Sequence, residues 1–102
     1  MRVNSTERPN KFWHNEIGDK VELVLHENIE EVTKDGEVSF DSDMSFGVAA
    51  NNRDEIIAGF IRLKYSIDKE FALFHKGRLD PTNVEYLEYL DYRVEVKEYV
   101  GQ

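Results

Sequence analysis

The sequence predicts a single α+β domain in which a three-stranded antiparallel meander is followed by an antiparallel two-helix hairpin packed on one face of the sheet. Two patterns predict this class. Before position 50, apolar residues alternate with polar ones, as in strands that have one buried face. After position 52, apolar residues recur at steps of three and four, as in amphipathic helices. The length of 102 residues suits one domain, residues 1–102, with one modest core.

The meander is predicted over residues 11–49. Its two strongest strands are an odd-numbered apolar run at 21–25 and an even-numbered run made of Val38, Phe40, Met44, Phe46 and Val48. The pair Asp35-Gly36 between them is typical of a tight hairpin turn, because glycine accepts a positive φ at little cost. A second turn signal, Gly18-Asp19, indicates a shorter first strand before it. Residues 1–10 are expected to form an arm or an edge strand.

A helical hairpin is predicted over residues 52–99. Its first helix covers 52–77 as one segment, because a single apolar stripe runs through it: Ile56, Phe60, Leu63, Ile67, Phe71 and Phe74. Asn51 or Asn52 is expected to cap it, since Asn52 and Glu55 have the spacing of a capping box, and Gly77 is expected to end the helix. A second helix is predicted from Asp80 as its cap to about residue 99, with Pro81 as its first residue.

One face of the meander is expected to pack on the helical hairpin around a shared core. The predicted core consists of Leu23, Phe40, Phe46, Phe60, Ile67, Phe71, Leu90 and Val94. On the far side of the first helix, Arg62, Lys69 and Lys76 follow one another at intervals of seven residues. This basic row is expected to face water or a partner.

The second helix carries the predicted binding surface. Its acidic residues share one half of the circumference, and they are Glu85, Glu88, Asp91, Glu95 and Glu98. Tyr92 and Tyr99 lie among them, seven residues or about two helical turns apart. At these positions the chain's own core is not expected to contain an aromatic ring. Because tyrosine is common at interfaces, we expect Tyr92 and Tyr99, with Glu88 and Glu95, to bind another copy of the chain or a different protein.

The composition excludes several classes of protein. A formal net charge of −8 and a pI of about 4.8 argue against general binding to nucleic acid or to an anionic membrane, since both need basic surface. The absence of cysteine excludes disulfides, thiol catalysis and cysteine-type zinc sites. No run approaches the ~20 apolar residues of a membrane span, and the first residues lack the apolar core of a signal peptide. Residence in the cytoplasm is therefore expected.

No catalytic or ligand-binding constellation accompanies this plan. His14, His26 and His75 are scattered over three elements without metal-ligand spacing, and they are interpreted as ordinary histidines. Asp41 and Asp43 share one strand face and could hold a cation together, although a solvated acidic face is the favoured interpretation. No serine has the context of a nucleophile, and the glycines form no phosphate loop. We expect no enzyme activity, no metal, no cofactor and no small-molecule ligand.

Four segments carry a family resemblance. These are Asn4-Ser5-Thr6-Glu7-Arg8-Pro9, Glu27-Asn28-Ile29-Glu30-Glu31, Ile61-Arg62-Leu63-Lys64-Tyr65-Ser66 with the following Glu70-Phe71-Ala72-Leu73, and Glu85-Tyr86-Leu87. In this order the segments resemble small uncharacterised proteins encoded in the tail modules of temperate phages and prophages of Gram-positive bacteria. The resemblance implies a tail-associated or accessory protein that acts through contacts in the host cytoplasm or on the virion. It implies no catalytic residue.

Three functions remain open at this point. The first is a non-enzymatic interaction protein of a phage tail or baseplate, either a structural piece or an assembly factor. The second is an acidic regulatory or host-defence inhibitor whose second helix mimics nucleic acid, although the basic first helix weakens this interpretation. The third and least favoured is a hydrolase or metal enzyme of unfamiliar type.

Overall fold

The structure, a computed structural model, describes residues 1–101 and contains one four-stranded sheet and three helices. In chain order the elements are β1 (Arg2–Ser5), β2 (Phe12–Ile17), β3 (Lys20–Lys34), β4 (Glu37–Ala50), α1 (Arg53–Lys64), α2 (Ile67–Leu79) and α3 (Val84–Val100). All strand pairs are antiparallel, and the strand order is β1-β4-β3-β2. The predicted α+β class with an antiparallel sheet is confirmed, whereas the predicted counts of three strands and two helices are wrong.

Both hairpin turns lie where the sequence predicts them. Asp35 and Gly36 join β3 to β4 with φ of 54° and 80°, and two positive φ values in succession match the right-handed twist of the flanking strands. Gly18, with φ of 62°, lies in the turn between β2 and β3. The extra strand β1 pairs with the outer side of β4, so residues 2–5 form an edge strand.

A β-bulge in β3 sets the register of the long hairpin. From the turn outward the pairs are regular, and Glu30 lies opposite Asp41. The register then shifts by one residue, so that Glu27 lies opposite Asp43 and Leu23 opposite Gly47. Asn28, at the bulge, has a φ of 51°, a conformation that asparagine tolerates better than most residues. The shift determines which face of β4 lies beside Leu23.

The helices cover the odd-numbered face of β4, which is the reverse of the prediction. Gly47 and Ala49 lie under α1, and a Cβ placed on Gly47 would be 3.1 Å from the Leu63 side chain. The even-numbered residues therefore point to the helix-free face, because alternate side chains of a strand point to opposite faces. Phe46 is 66% exposed there, so its predicted place in the core is wrong. Phe40 is only half-buried.

The connection between β1 and β2, residues 6–11, crosses the helix-free face. The two strands lie at opposite edges of the sheet, so this segment must pass over β4 and β3. The guanidinium carbon of Arg8 lies 5.9 Å from the centre of the Phe40 ring, and Ser42 beneath the crossing is fully buried. The Ser42 hydroxyl is 2.9 Å from Nδ1 of His26. The crossing covers this face around Phe40 and Ser42 and leaves the end formed by residues 20–24 and 46–50 open.

The predicted long helix is interrupted at Tyr65 and Ser66. Tyr65 has extended backbone angles, and the Ser66 side chain accepts a hydrogen bond from the Lys69 amide as the N-cap of α2. Asp68 and Glu70 in the first turn of α2 interact favourably with the positive end of its dipole. The chain therefore changes direction, and the apolar stripe predicted through residue 74 does not continue on one helix face.

The second helix begins later than predicted. Asp80 ends α2, and its side chain accepts hydrogen bonds from Thr82 within the connection. Asn83 caps α3 by accepting a hydrogen bond from the Tyr86 amide. The predicted roles of Asp80 and Pro81 at the start of this helix are therefore wrong, because the asparagine two residues after the proline is the cap that the chain uses.

The core is built from aliphatic residues of the strands and helices and an aromatic cluster. Its buried members are Phe12, Val21, Leu23, Leu25, Ile56, Ile57, Phe60, Ile61, Tyr65, Leu73, Tyr89, Tyr92 and Val96. Leu23 and Phe60 are confirmed, and Leu90 packs against the cluster while partly buried. Ile67, Phe71 and Val94 are exposed, so their predicted places in the core are wrong. Once the helix is interrupted, α2 presents Leu73 rather than Phe71 to the core.

Tyr92 belongs to the centre of this core, contrary to the prediction that it lies on an outward face. Its side chain is 1% exposed, and its hydroxyl donates a hydrogen bond of 2.6 Å to the carbonyl oxygen of Phe60. The Tyr92 ring lies 5.9 Å from Phe12 and 5.6 Å from Tyr65, between centroids. It therefore links β2, α1 and α3.

Replacing Tyr92 is expected to destabilise the fold far more than replacing Phe71. Tyr92→Ala removes a buried ring and its hydrogen bond, so the free energy of unfolding should fall by about 3–5 kcal/mol. Phe71→Ala is the control, because this ring is 69% exposed, and its cost should stay below about 1 kcal/mol. Urea denaturation followed by circular dichroism measures both changes. Equal losses in the two variants would contradict this description of the core.

Candidate interaction surfaces

The helix-free face of the sheet carries an exposed apolar surface, which we call the open sheet patch. It consists of the exposed residues Trp13, Ile17, Phe46 and Val48 and the half-buried Val24 between them. Trp13, Val24 and Phe46 lie directly opposite one another on β2, β3 and β4, so three apolar side chains form a row across the strands. Sequence analysis placed Phe46 and Val48 on the buried face of their strand, and it assigned no binding role to any residue of this patch.

The strand positions of the open sheet patch carry no net formal charge. Among the strand positions on this half of the face, the charged residues are Lys20 and Glu22, which are neighbours along β3 and have opposite charge. The whole chain carries a formal net charge of −8. The patch therefore differs from the rest of the surface in charge as well as in polarity.

A second apolar surface, which we call the helical stripe, runs along α2. Its members Ile67, Phe71 and Phe74 are exposed and recur at steps of four and three, so they share one side of the helix. Phe74 lies edge-on to Tyr89 of α3, with 5.5 Å between ring centroids, so the stripe adjoins α3. On α3, the exposed residues Leu87 and Val94 are seven residues, or about two helical turns, apart. The stripe lies on the helical side of the molecule, away from the open sheet patch.

The two tyrosines of the predicted binding surface, Tyr92 and Tyr99, have different surroundings in the structure. Tyr92 lies inside the core, whereas Tyr99 is 37% exposed. The Tyr99 ring packs 5.3 Å from Phe12, and its hydroxyl is 2.7 Å from Nδ1 of His14. Burial raises the pKa of both tyrosines above the ordinary value. Both rings are therefore held by this chain's own strands and helices.

The two acidic residues assigned to that surface have different surroundings. Glu88 and Glu95 are both exposed on α3. Glu95 forms an ion pair of 2.7 Å with Lys11, which precedes β2. Glu88 has no ion pair among residues 1–101. A partner-binding role for Glu88, Glu95 and the exposed edge of Tyr99 stays a prediction.

The residues of the predicted basic row, Arg62, Lys69 and Lys76, form ion pairs with acidic residues of the same chain. Lys69 and Lys76 lie 3.7 Å and 3.2 Å from the same carboxylate oxygen of Glu85 on α3. Arg62 lies 2.5 Å from Glu70, which links the end of α1 to the start of α2. The interruption at residues 65–66 explains this outcome, because it turns the row towards acidic residues instead of leaving it along one solvent-facing side.

Glu70 is the centre of a polar cluster between the helices. The Tyr89 hydroxyl donates a hydrogen bond to its carboxylate, and Arg62 binds the other oxygen. Burial alone would raise the pKa of Glu70, but hydrogen bonds from Tyr89 and Arg62 and the charges of Arg62 and Arg93 lower it below the ordinary value. Burial, with the hydrogen bond to Glu70, raises the pKa of Tyr89 to about 12. The carboxylate thus stabilises the helix packing in its ionised form.

The candidate cation-binding pair is occupied by neighbouring side chains. The Asn4 side-chain amide donates to Asp41, and that of Asn28 donates to Asp43, at 2.8 Å each. Arg2 lies 3.3 Å from Asp43. Within residues 1–101, no three His, Asp or Glu side chains come together as a metal ion requires. Asp41 and Asp43 therefore serve to hold β1 and the bulge against β4.

A shallow cleft of about 340 Å³ lies between α1 and β4. Its walls include Gly47, Ala49, Ala58 and Gly59, and its titratable groups are Glu55 and Arg62. This volume is near the lower end of the range for small-molecule sites, and the walls carry no nucleophile paired with a base.

No helix formed by residues 1–101 is long and apolar enough to cross a membrane.

Glu70→Gln is expected to lower stability at neutral pH and to flatten its dependence on pH. Because the folded-state pKa of Glu70 is lowered, its stabilising contribution is full above the unfolded-state pKa and is lost as the pH falls through the folded-state pKa. The variant should therefore lose about 1–3 kcal/mol at pH 7 and less at pH 3. Urea denaturation at both pH values measures this difference. Glu88→Gln serves as the control, and an equal loss in both variants would contradict the role of Glu70.

Comparison with known proteins assigns no role to these surfaces. No protein-family model matches the chain, and no curated protein or solved structure shows significant similarity to it. The roles of the open sheet patch and the helical stripe therefore depend on the chain's own contacts, exposure and charge.

Proposed function

We propose that this chain is a non-enzymatic accessory protein of a phage or prophage, associated with the tail or baseplate and acting through protein–protein contacts. One observation carries the proposal. Among residues 1–101, fourteen large apolar side chains are exposed, and thirteen hydrophobic side chains form the buried core. Monomeric proteins rarely expose large contiguous apolar patches, and such patches commonly mark binding sites. Of the exposed side chains, those of the open sheet patch and those of the helical stripe are grouped, and these two groups are suited to contact with other proteins.

The position of these residues supports an assembly role. The open sheet patch lies on the helix-free face, and the helical stripe lies on the opposite, helical side. One chain can therefore contact two neighbours at the same time. This arrangement fits a structural piece or an assembly factor, which must connect at least two other molecules.

The phage context rests on the resemblance, and the segments that carry it lie at the points that determine the fold. Asn4–Pro9 includes part of the crossing over the sheet, and Glu27–Glu31 contains the bulge. Ile61–Ser66 contains the interruption between α1 and α2, and Glu85–Leu87 lies in the first turns of α3. A resemblance concentrated at such positions supports a shared architecture rather than a shared composition.

The alternative function, an acidic inhibitor that mimics nucleic acid, has less support. A mimic needs a regular row of free carboxylates, because it must reproduce the charge spacing of a phosphate backbone. Two of the acidic residues on α3, Glu85 and Glu95, are neutralised by lysines of this chain. The ion pairs interrupt the row along the helix.

Gene deletion in the strain that encodes the chain tests the proposal. After prophage induction, the deletion mutant should release particles with defective or missing tails, or particles that infect less well. Wild-type chain supplied from a plasmid should restore normal tails and infectivity. Mass spectrometry of gradient-purified virions will show whether the chain stays on the particle or remains in the host cytoplasm. Normal particle yield, tail morphology and infectivity in the deletion mutant would refute a role in tail assembly.

Complementation with surface variants identifies the contact that matters. The double variant Phe71→Ser/Leu87→Ser removes exposed apolar side chains from α2 and α3, and it should fold but fail to restore infectious particles. His75→Ser is the matched control, because this residue is exposed on the same helix and is polar. Full complementation by the double variant would show that these apolar residues of α2 and α3 are not required for assembly.

A further inference from the structure

We propose that the open sheet patch is the surface through which two copies of this chain associate about a two-fold axis. This inference names the partner for one of the two apolar surfaces. It rests on the proposed function only for the premise that the chain acts through contacts.

The shape of the patch suits a second sheet. The row formed by Trp13, Val24 and Phe46 crosses three strands, and Ile17 and Val48 extend it towards the ends of β2 and β4. The crossing segment 6–11 lies over Phe40 and Ser42 and so limits the patch on that side. Two sheets that pack face to face lie ~10 Å apart, and their inward side chains interdigitate. Trp13 and Phe46 are large enough to fill such a layer.

The charge balance of the patch allows a second copy of the same chain to bind there. Two molecules that each carry a net charge of −8 repel one another over most of their surfaces. The open sheet patch adds little to this repulsion, because its strand positions carry one positive residue, Lys20, and one negative residue, Glu22. A basic partner would be attracted by the acidic surface elsewhere on the chain and not by this neutral patch. A second copy brings an equally neutral and equally apolar surface, as an isologous interface requires.

The size of the patch predicts a reversible dimer. It extends over three strands and about five residues along them, which corresponds to roughly 10–15 Å by about 17 Å. Trp13 and Phe46 are 48% and 66% exposed, so the two rings alone offer on the order of 200 Å² to a partner. This is less than the roughly 800 Å² per partner of a standard stable interface. The dissociation constant is therefore expected in the high micromolar to millimolar range.

The helical stripe fits this partner less well. Its apolar residues lie on a helix that also exposes Asp68, Lys69, His75 and Arg78. Self-association through such a surface would be sensitive to the pairing of many charges. The helical stripe is therefore the surface left for a different protein when two sheets are packed together.

Sedimentation velocity over a wide range of protein concentration provides the first measurement. The chain should pass from monomer to dimer as its concentration rises through the high micromolar range towards the millimolar range. Added salt should maintain or strengthen this association, because salt screens the repulsion between two acidic chains and leaves apolar contact intact. A partner surface built on Glu88 and Glu95 would show the opposite response to salt. A monomer at all concentrations would refute the dimer and would leave the proposed function, which other protein partners could serve, untouched.

Trp13 provides the second measurement, because it is the chain's single tryptophan and lies in the open sheet patch. Its fluorescence maximum should move to shorter wavelength as the dimer forms and excludes water from the ring. The midpoint of this shift should agree with the sedimentation midpoint. Dimer formation without a change in Trp13 emission would place the interface elsewhere and overturn the inference.

Variants separate the patch from the helical stripe. Phe46→Thr/Val48→Thr should raise the dissociation constant at least tenfold and preserve the circular dichroism spectrum, because both side chains are exposed and threonine suits a strand. Phe71→Ser removes an equally exposed ring from α2 and should leave the dissociation constant unchanged. The reverse pattern, with dimerisation lost in Phe71→Ser alone, would assign self-association to the helical stripe. If Phe46→Thr/Val48→Thr loses its folded spectrum, Val48→Thr alone provides the same comparison.

Discussion

The one-residue bulge at Asn28 is the constraint on which the arrangement of this molecule depends. The Asp35-Gly36 turn starts a regular ladder that, continued without interruption, would pair Leu23 with Val48 and Leu25 with Phe46. The bulge moves each partner by one residue, so Leu23 meets Gly47 instead. Because a shift of one residue exchanges the two faces of a strand, small residues of β4 lie under α1 and large ones face outward. Packing of the helices and exposure of the aromatic residues thus have one common cause.

Close approach of α1 to the sheet follows from these small residues. A Cβ at Gly59 would lie 2.5 Å from the Leu23 side chain and 3.3 Å from Ala49. Such contact brings the backbone of α1 close to β3 and β4. Beside the aliphatic residues of the core, aromatic rings from β2, α1 and α3 fill space between the elements, and the Tyr92 hydroxyl is satisfied by the Phe60 carbonyl. The aromatic rings that a sequence interpretation would assign to an interface are needed inside.

Sequence patterns predict the elements of this chain better than their faces. The period of two, the Asp35-Gly36 turn and the helical period identify the sheet and the helical half, because these signals are local. The choice of face on β4 depends on a bulge whose only local signal is Asn28, a residue that tolerates positive φ. The interruption of the first helix did have a signal: basic residues before Ser66 and acidic residues after it are typical of a helix end followed by a helix start. The exposure of Phe46 depends on the bulge, and the exposure of Phe71 depends on the helix interruption. The candidate surfaces contain these two residues, so they could not be predicted from the period of the sequence alone.

The interruption at Tyr65 and Ser66 also divides the molecule into parts of unequal local stability. Among the structural elements, α2 packs chiefly against α3, whereas α1 lies on β3 and β4 and also against α3. Only Leu73 and Gly77 of α2 are buried, so few apolar contacts resist its separation from the rest. Segments of this kind open more often than the core to which they are attached, and their amide hydrogens exchange with solvent through those openings. We therefore expect the amide hydrogens of α2 to exchange faster than those of α1.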